Sequence, residues 1–495
     1  MPELYIDGAW REAAGAATRE VIDPLDGSVV RTVSEGGAED AELAIAAARR
    51  AFDVGEWARR PGAERGRLLA RLADAMEADA EHLAALETAD TGKTLIESRQ
   101  DMADIVAVVR YYAGLADKHA GEVIEGPDPR IRSTVVREPV GVCAQISPWN
   151  YPLLQAAWKL APALAAGNSI VVKPSELTPL TTIRTFELLA ELDLPAGVAN
   201  LVLGAGPTVG ATLAESHQVD LVSFTGGIAT GRQVMTAASG NVKKVALELG
   251  GKNPNLVFAD ADRDLAIDQA LNAVFFHAGQ VCSAGARLLV EGSIHDEVVD
   301  ALVARAQRIR LGDGRDPATE SGPLISAEHR AKVERYVAGA LEDGATLRCG
   351  GARPDDPALA EGFFYLPTIL TDCRADMTVV REEVFGPVLT VEPFADEDEA
   401  LALANDTDTG LAAGVFTSDL ERAQRVSHAL RFGTVWINDF HPYFPQAPWG
   451  GYGTSGIGRE LGLAGLEEYT ELKHIAHNTA PQPLGWFGQA GDAGS

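Results

Sequence analysis

Residues 140–173 read VGVCAQISPWNYPLLQAAWKLAPALAAGNSIVVK, and this stretch decides the fold. It opens with an apolar run at residues 140–146 and closes with a second apolar run at residues 169–172. Residues 153–166, between the two runs, are rich in alanine and leucine, which favours a helix. A strand, a helix and a strand in this order predict a βαβ unit with two parallel strands in one sheet.

The same alternation continues along the chain. Further helices are predicted at residues 180–192, 209–216 and 230–238, and further strands at 200–203 and 221–224. A second alternating series begins near residue 255 and ends at about residue 436, whereas residues 39–109 have the three-and-four spacing of helices. We therefore predict an α/β fold with doubly wound, mostly parallel sheets in two Rossmann-like domains.

Composition and charge narrow the class of protein. A chain of 495 residues exceeds the size of one core, so we expect two or three domains. The net charge of -29 argues against nucleic acid and anionic membranes as partners. Neither a spanning apolar run nor a signal peptide is evident, and the four cysteines lack metal-site spacing. We expect a cytoplasmic protein without a bound metal.

Three stretches contain residue types suited to catalysis. Cys282 lies among small residues in GQVCSAGAR (279–287), where a substrate can reach its thiol, although most lone cysteines are simply buried hydrophobes. Glu248 lies between leucines in LELGGK (247–252) and suits a general base, or else a surface strand end. Asn150, in SPWNYP (147–152), offers amide protons to an oxyanion, or else forms an Asx turn.

Taken together, these stretches resemble the aldehyde dehydrogenase superfamily. The resemblance covers nearly the whole chain and rests on motifs that occur in the family's order. The motifs are PWN (148–150), KPSE (173–176), FTGG (224–227), LELGGKNP (247–254), GQVC (279–282), EEVFGP (382–387), PWGG (448–451) and GRELG (458–462). A nucleophile, an oxyanion donor and a general base are also the parts that an oxidative acyl transfer requires.

The resemblance implies a role for each catalytic residue. Cys282 is the expected nucleophile, and Asn150 with the Cys282 backbone N–H is expected to hold the oxyanion. Glu248 is expected to activate the water that hydrolyses the thioester, while Lys159 and Glu460 match the proposed proton exit path. Because relatives that acylate coenzyme A usually lack this glutamate, we expect a free acid as product. A non-catalytic structural or binding relative is the remote alternative, and it should have lost one of these residues.

The resemblance also implies an NAD site. Lys173 and Glu176 match the pair that holds the adenosine ribose, and a carboxylate there favours NAD over NADP, although Ser175 could soften that preference. Gly206 belongs to a loop that nearly spells the Rossmann fingerprint but lies by the adenine in the family. Many relatives have serine where Gly227 stands. The remaining cofactor residues implied are Ile146, Trp149, Phe224, Gly226, Leu249, Glu383 and Phe385.

Aromatic residues indicate the substrate. Tyr151, Trp158, Phe276 and Trp449 align with the aromatic box of betaine aldehyde and aminoaldehyde dehydrogenases, and aromatic faces attract quaternary ammonium groups. Aromatic residues at helical spacing are otherwise usually core. We expect oxidation of betaine aldehyde to glycine betaine, with 4-aminobutanal, 4-trimethylaminobutanal or a broader aldehyde range as the alternative. His441 is expected to support its loop.

The domain division follows from the same comparison. We expect an NAD-binding domain at residues 1–121 and 140–250, a catalytic domain at 251–455, and an oligomerisation arm at 122–139 and 468–480. The arm combines a predicted hairpin with the C-terminal strand and extends a partner's sheet in the family. Glu471 and Arg459 match a pair near that interface. We expect a homodimer or a homotetramer.

Overall fold

The computed structural model describes residues 3–487, so the first two residues of the predicted NAD-binding domain lie outside it. The first half contains eleven strands and eight α-helices. The strands are β1 (Leu4–Ile6), β2 (Ala9–Arg11), β3 (Thr18–Ile22), β4 (Val29–Ser34), β5 (Glu122–Ile124), β6 (Ile131–Pro139), β7 (Val142–Ile146), β8 (Ser169–Lys173), β9 (Ala199–Leu201), β10 (Leu221–Gly226) and β11 (Lys244–Leu249). The helices are α1 (Ala38–Asp53), α2 (Gly62–Ala78), α3 (Ala80–Thr91), α4 (Leu95–Leu115), α5 (Pro152–Ala166), α6 (Leu180–Ala190), α7 (Ala211–Glu215) and α8 (Ile228–Ala238).

The second half repeats the pattern with its own strands and helices. The strands are β12 (Pro254–Val257), β13 (Arg287–Glu291), β14 (Thr346–Cys349), β15 (Thr368–Thr371), β16 (Val388–Phe394), β17 (Thr409–Gly410), β18 (Ala412–Phe416), β19 (Thr434–Ile437), β20 (Tyr452–Gly453), β21 (Gly456–Ile457) and β22 (Thr470–Asn478). The helices are α9 (Arg263–Phe275), α10 (His295–Ala306), α11 (Ala327–Glu342), α12 (Thr378–Arg381), α13 (Glu397–Asn405), α14 (Leu420–Ala429) and α15 (Gly462–Glu468).

Two large sheets organise the molecule and confirm the predicted α/β class. The first sheet has the order β2-β1-β9-β8-β7-β10-β11-β21, and its five central strands are parallel. The second has the order β14-β15-β16-β13-β12-β18-β19 and is parallel except at β14. Apolar side chains of strands and flanking helices bury the main core on the first sheet. No helix within residues 3–487 is long and apolar enough to cross a bilayer.

The chain first passes from the first sheet to the second through residues 250–253. β11 ends at Leu249 and β12 begins at Pro254, so the carboxyl end of one sheet meets the amino end of the other. The predicted boundary between residues 250 and 251 falls within this connector. We propose the domain division on that basis, with β21 returning to the edge of the first sheet.

Some predicted elements differ from those observed. The helix predicted at 209–216 is preceded by a π-helical turn at Gly206–Gly210 and begins only at Ala211. The strand predicted from residue 140 begins at Val142, because Gly141 has a φ of +139° and Val140 bonds to Tyr469 instead. Strands β1 to β4 were not predicted, since runs of three to six residues with mixed burial carry little pattern.

The predicted arm forms a three-stranded antiparallel sheet within one chain. The C-terminal strand β22 pairs with β6 over nine residues, and β5 pairs with the other edge of β6. Glu471 lies 3.5 Å from the Lys244 ammonium, while the Arg459 side chain donates to the carbonyls of Gly451 and Gly458. Within the part of the chain that the structure describes, Glu471 and Arg459 therefore do not pair with each other inside one chain.

Candidate active site

The carboxyl ends of the central strands place most of the predicted residues. Ile146 ends β7, Lys173 ends β8, and Glu248 lies one residue before the end of β11. Ligands of open α/β sheets bind at this edge, where loops leave the strands. The turn after β7 adds Trp149 and Asn150 and leads into α5. Helix α5 starts with a proline at its first position, where the missing N–H is harmless.

Cys282 lies in the loop between the short helical turn Phe276–Gly279 and β13. The Asn253 amide, on the connector between the sheets, donates to the Cys282 carbonyl at 2.8 Å and to the Ala284 carbonyl at 3.0 Å. The thiol is free and partly exposed. Burial raises its pKa well above the ordinary value, and the Glu248 carboxylate raises it further. The thiol is therefore protonated at rest.

Glu248 is buried, with 2% of its surface exposed. Its Oε1 accepts from Trp449 Nε1 at 3.4 Å, it lines one cavity together with Cys282, and among residues 3–487 its Oε2 has no hydrogen-bond partner. Burial raises the pKa of this carboxyl to about 7, and the charge of Glu460 also raises it. A carboxyl with a pKa near neutrality and an unpartnered oxygen is suited to accept a proton from water.

Asn150 and Cys282 are tied to the same loop. Asn150 Nδ2 donates to the Gln280 carbonyl at 2.9 Å, two residues before Cys282. One amide proton is used in this bond, and the second is left for an oxygen at the cavity, which Asn150 also lines.

Lys159 and Glu460 form a buried ion pair. The Lys159 ammonium is completely buried and donates to Glu460 Oε1, and also to Thr225 Oγ1 at 2.6 Å. Glu460 Oε2 has no hydrogen-bond partner within the described part of the chain. Backbone bonds of 2.6 and 2.7 Å between Glu460 and Trp449 place this pair next to Glu248.

A cavity of about 310 Å³ opens beside Cys282. All four predicted aromatic residues line it, together with Tyr443 and the carboxylates of Asp101 and Asp104. The Trp158 ring lies 5.3 Å from the Tyr443 ring and 6.0 Å from the Trp449 ring, each at 65°. We call this space the aromatic cavity. Its aromatic lining consists of Tyr151, Trp158, Phe276, Tyr443 and Trp449.

His441 also lines the aromatic cavity. Its ring lies 5.9 Å from the Phe276 ring, and its Nδ1 lies 3.4 Å from Ser283 Oγ. Burial lowers its pKa to about 4, so the ring is neutral near pH 7 and adds no positive charge to the wall.

Two further cavities approach Cys282 from the other side. One of about 220 Å³ is lined by Trp149, Asn150, Gly226, Gly227, Glu248, Cys282, Glu383 and Phe385, among others. The other, of about 700 Å³, is lined by Ile146, Trp149, Lys173, Glu176, Gly206, Phe224, Gly226 and Gly227, among others. Leu249 lines neither; its side chain lies against Gly231 of α8.

The far end of the larger cavity holds a lysine–carboxylate pair. Lys173 Nζ lies 3.3 Å from Glu176 Oε2. Burial opposes ionisation of Glu176, but the Lys173 charge and several hydrogen bonds prevail and lower its pKa. Gly206 N–H faces the second oxygen of Glu176 at 3.5 Å. An ionised carboxylate at this end suits two hydroxyl groups and repels a phosphate.

Comparison with known proteins agrees with this arrangement. The family model for the aldehyde dehydrogenase family matches residues 10–475. The chain belongs to the aldehyde dehydrogenase family. This aldehyde dehydrogenase is 63% identical to betaine aldehyde dehydrogenase of Bacillus subtilis (strain 168), over 98% of this chain and 99% of the relative. It is 44% identical to the chloroplastic betaine aldehyde dehydrogenase of Beta vulgaris, over 98% of each chain.

A solved structure extends the comparison to the fold. The crystal structure of betaine aldehyde dehydrogenase from Staphylococcus aureus in complex with NAD⁺ superimposes with a TM-score of 0.98. The two sequences are 57% identical, and the match covers 99% of this aldehyde dehydrogenase and 97% of the other chain.

Among the residues that line the aromatic cavity of this aldehyde dehydrogenase, sequence reasoning missed Tyr443, Asp101 and Asp104. Tyr443 donates from its hydroxyl to Asp104 Oδ2 at 2.9 Å, and Asp101 lies one helical turn before Asp104 on α4. The available signal was the position of Tyr443, an aromatic residue in the loop between His441 and Trp449. Nothing local in α4 distinguishes Asp101 and Asp104 from other acidic residues of a solvated helix face.

Proposed function

We propose that this enzyme oxidises betaine aldehyde to glycine betaine with NAD⁺ and water. The carrying observation is the aromatic cavity beside Cys282, which combines five aromatic side chains with the carboxylates of Asp101 and Asp104. A trimethylammonium group is stabilised by aromatic faces by about 2 kcal/mol or more once it is desolvated. The names of the Bacillus subtilis and Beta vulgaris relatives support the same substrate.

NAD⁺ fits the two cavities on the other side of Cys282. Their combined course runs from Glu176, past the glycines after β10, to Glu383 and Phe385. A Cβ added at Gly227 would meet no atom within 4 Å, so the chain leaves room at the start of α8, where helix N–H groups bind phosphates. When bound, NAD⁺ accepts the hydride. The Glu176 carboxylate supports NAD over NADP.

The protein's own residues then have distinct tasks. The Cys282 thiol passes its proton to water in the cavity as its sulfur bonds to the aldehyde carbon, and the oxygen of that carbon takes the negative charge. The free Asn150 amide proton and the Cys282 backbone N–H stabilise that charge. After oxidation, Glu248 removes a proton from the water that hydrolyses the thioester. Glu460 and Lys159 provide the next buried groups along a path for that proton.

An aminoaldehyde is the second candidate substrate. Its primary ammonium has N–H donors, and the Asp104 carboxylate on the cavity wall is an acceptor, whereas the Asp101 carboxylate is already paired with the Lys93 ammonium. A trimethylammonium group has no N–H donors and relies on the aromatic faces. The same cavity thus accommodates 4-aminobutanal or 4-trimethylaminobutanal as alternatives.

The deciding experiment compares two aldehydes of the same shape. NADH formation by purified enzyme gives kcat/KM for betaine aldehyde and for 3,3-dimethylbutanal, which replaces the cationic nitrogen by carbon. A cation–π contribution of about 2 kcal/mol predicts a preference of about 30-fold for the cation. Equal kcat/KM values would contradict cation recognition by the aromatic cavity and indicate a general aldehyde dehydrogenase. A higher kcat/KM for 4-aminobutanal than for betaine aldehyde would establish the second candidate.

The proposal also covers the oligomeric state and the cellular compartment of the enzyme. We propose a homodimer or homotetramer built through the arm, because apolar side chains stay exposed there, with Val123 85% and Leu472 63% exposed. Light scattering of the wild type and of Leu472→Asp tests the assembly: the variant should shift to a smaller species.

The cytoplasm is the proposed compartment, which the four free cysteines favour.

A further inference from the structure

The loop that carries Cys282 contains a turn in an unfavourable backbone conformation. His277, Ala278 and Gly279 have φ values of +48°, +51° and +74° in succession. Two of the three carry a Cβ, which makes this left-handed region costly. Non-glycine residues persist there only when the surrounding structure holds them.

Glu97, at the start of α4, holds this turn. Its Oε1 accepts the His277 backbone N–H at 2.8 Å. Its Oε2 accepts both the backbone N–H of Thr94 at 2.7 Å and the Thr94 hydroxyl at 2.9 Å. The side chain is buried, with 6% of the residue exposed. One carboxylate thus caps a helix with one oxygen and fixes the strained turn with the other.

The position of this turn determines where Asn150 and Cys282 lie. Gln280, the next residue, accepts the Asn150 amide at 2.9 Å, and its own N–H and side-chain amide return to the His277 carbonyl. Cys282 follows two residues later. A Cβ on Gly279 would lie 2.1 Å from the Gly386 carbonyl oxygen, so the turn is packed directly against the loop that contains Phe385.

We propose that Glu97 is a positioning residue that holds the left-handed turn so that Asn150 and Cys282 act on one carbonyl group. The inference rests on the function proposed above. Through Gln280, a displaced turn moves the Asn150 amide and the Cys282 thiol together.

The Glu97→Gln variant tests this role. Glutamine has one acceptor oxygen, so it cannot serve both His277 and the backbone of Thr94. We expect kcat to fall about 10- to 100-fold, as for small displacements of reacting groups, with KM for the aldehyde changed less than about threefold. Alkylation of Cys282 by iodoacetamide, followed by mass spectrometry, should slow in parallel. Since alkylation needs no aldehyde, it reports on the turn even if the substrate is not betaine aldehyde.

Thr94→Ala is the matched control. It removes the capping hydroxyl but leaves the bond between Glu97 and His277, so the melting temperature should fall while kcat stays within about twofold of wild type. Equal losses of kcat in Thr94→Ala and Glu97→Gln would overturn the proposal and limit Glu97 to helix capping.

Ala278→Gly supplies a rescue. Glycine adopts the left-handed region without penalty, so the Glu97→Gln/Ala278→Gly double variant should regain at least about threefold of the lost kcat and alkylation rate. No recovery would contradict the positioning role. If Glu97→Gln alone does not fold, the double variant is compared with Ala278→Gly instead. If neither Glu97→Gln nor the double variant folds while Ala278→Gly does, Glu97 is needed for folding and the proposal is refuted.

Discussion

Replacing Glu248 by glutamine should leave NADH formation in the first turnover and stop the enzyme at the thioester. The structure gives two reasons why acylation survives. Glutamine keeps the shape of Glu248 and an oxygen for Trp449 Nε1, and it removes a negative charge that raises the pKa of Cys282. The water step loses its base, which contributes about 10²- to 10⁴-fold in general base catalysis. We expect a burst of about one NADH per active site and a steady state at least about 100-fold slower.

The pH dependence of the wild-type steady state is the companion measurement. The pKa of Glu248 is raised to about 7, so the basic form is lost as the pH falls through 7. About 9% of the carboxyl is ionised at pH 6 and about 91% at pH 8, so the hydrolytic rate should rise about tenfold between them. Stopped-flow absorbance of NADH separates burst from steady state across this range. A steady state independent of pH, or an equal loss of burst and steady state in Glu248→Gln, would refute the assignment of Glu248 to hydrolysis.

Three further outcomes are expected. Cys282→Ala should abolish NADH formation while NAD⁺ binding, followed by tryptophan fluorescence, stays near wild type; retained turnover would exclude Cys282 as the nucleophile. Trp449→Ala, which removes one of the five aromatic faces, should raise KM for betaine aldehyde about fivefold and KM for 3,3-dimethylbutanal much less, and equal increases would mean that the cavity is merely hydrophobic. Gly226→Ala should raise KM for NAD⁺ about tenfold, because its Cβ would meet the Phe224 ring at 2.5 Å; an unchanged KM would contradict the packing argument.

The local sequence pattern was sufficient to predict the parallel sheets. The apolar runs that became β7, β8 and β10 are short and β-branched or aromatic, and each is followed by a helical stretch, so their order alone implies the sheet. The π-helical turn at Gly206–Gly210 escaped prediction because proline and glycine at a helix start resemble an ordinary loop. The pairing of β22 with β6 joins residues more than 300 positions apart, which no local pattern encodes.

The residues of the candidate site also fall into two groups: those that a sequence motif identifies and those that only a tertiary contact identifies. Cys282, Glu248 and Asn150 were found because each lies in a distinctive motif. Tyr443 and Asp104 meet across 339 positions, and the contact between Glu97 and His277 spans 180. Such residues are ordinary where they stand in the sequence, and only tertiary packing gives them a role.

The short connector between the sheets has a kinetic consequence. Glu248 lies just before residues 250–253, and Asn253, at their end, fixes the carbonyl of Cys282. The chain crosses between the sheets a second time before β21, which pairs with β11 beside Glu248, so the two sheets are joined on both sides of the base. A movement of one sheet against the other therefore changes the distance between Glu248 and Cys282 little, and the acyl group stays beside its base until water releases it.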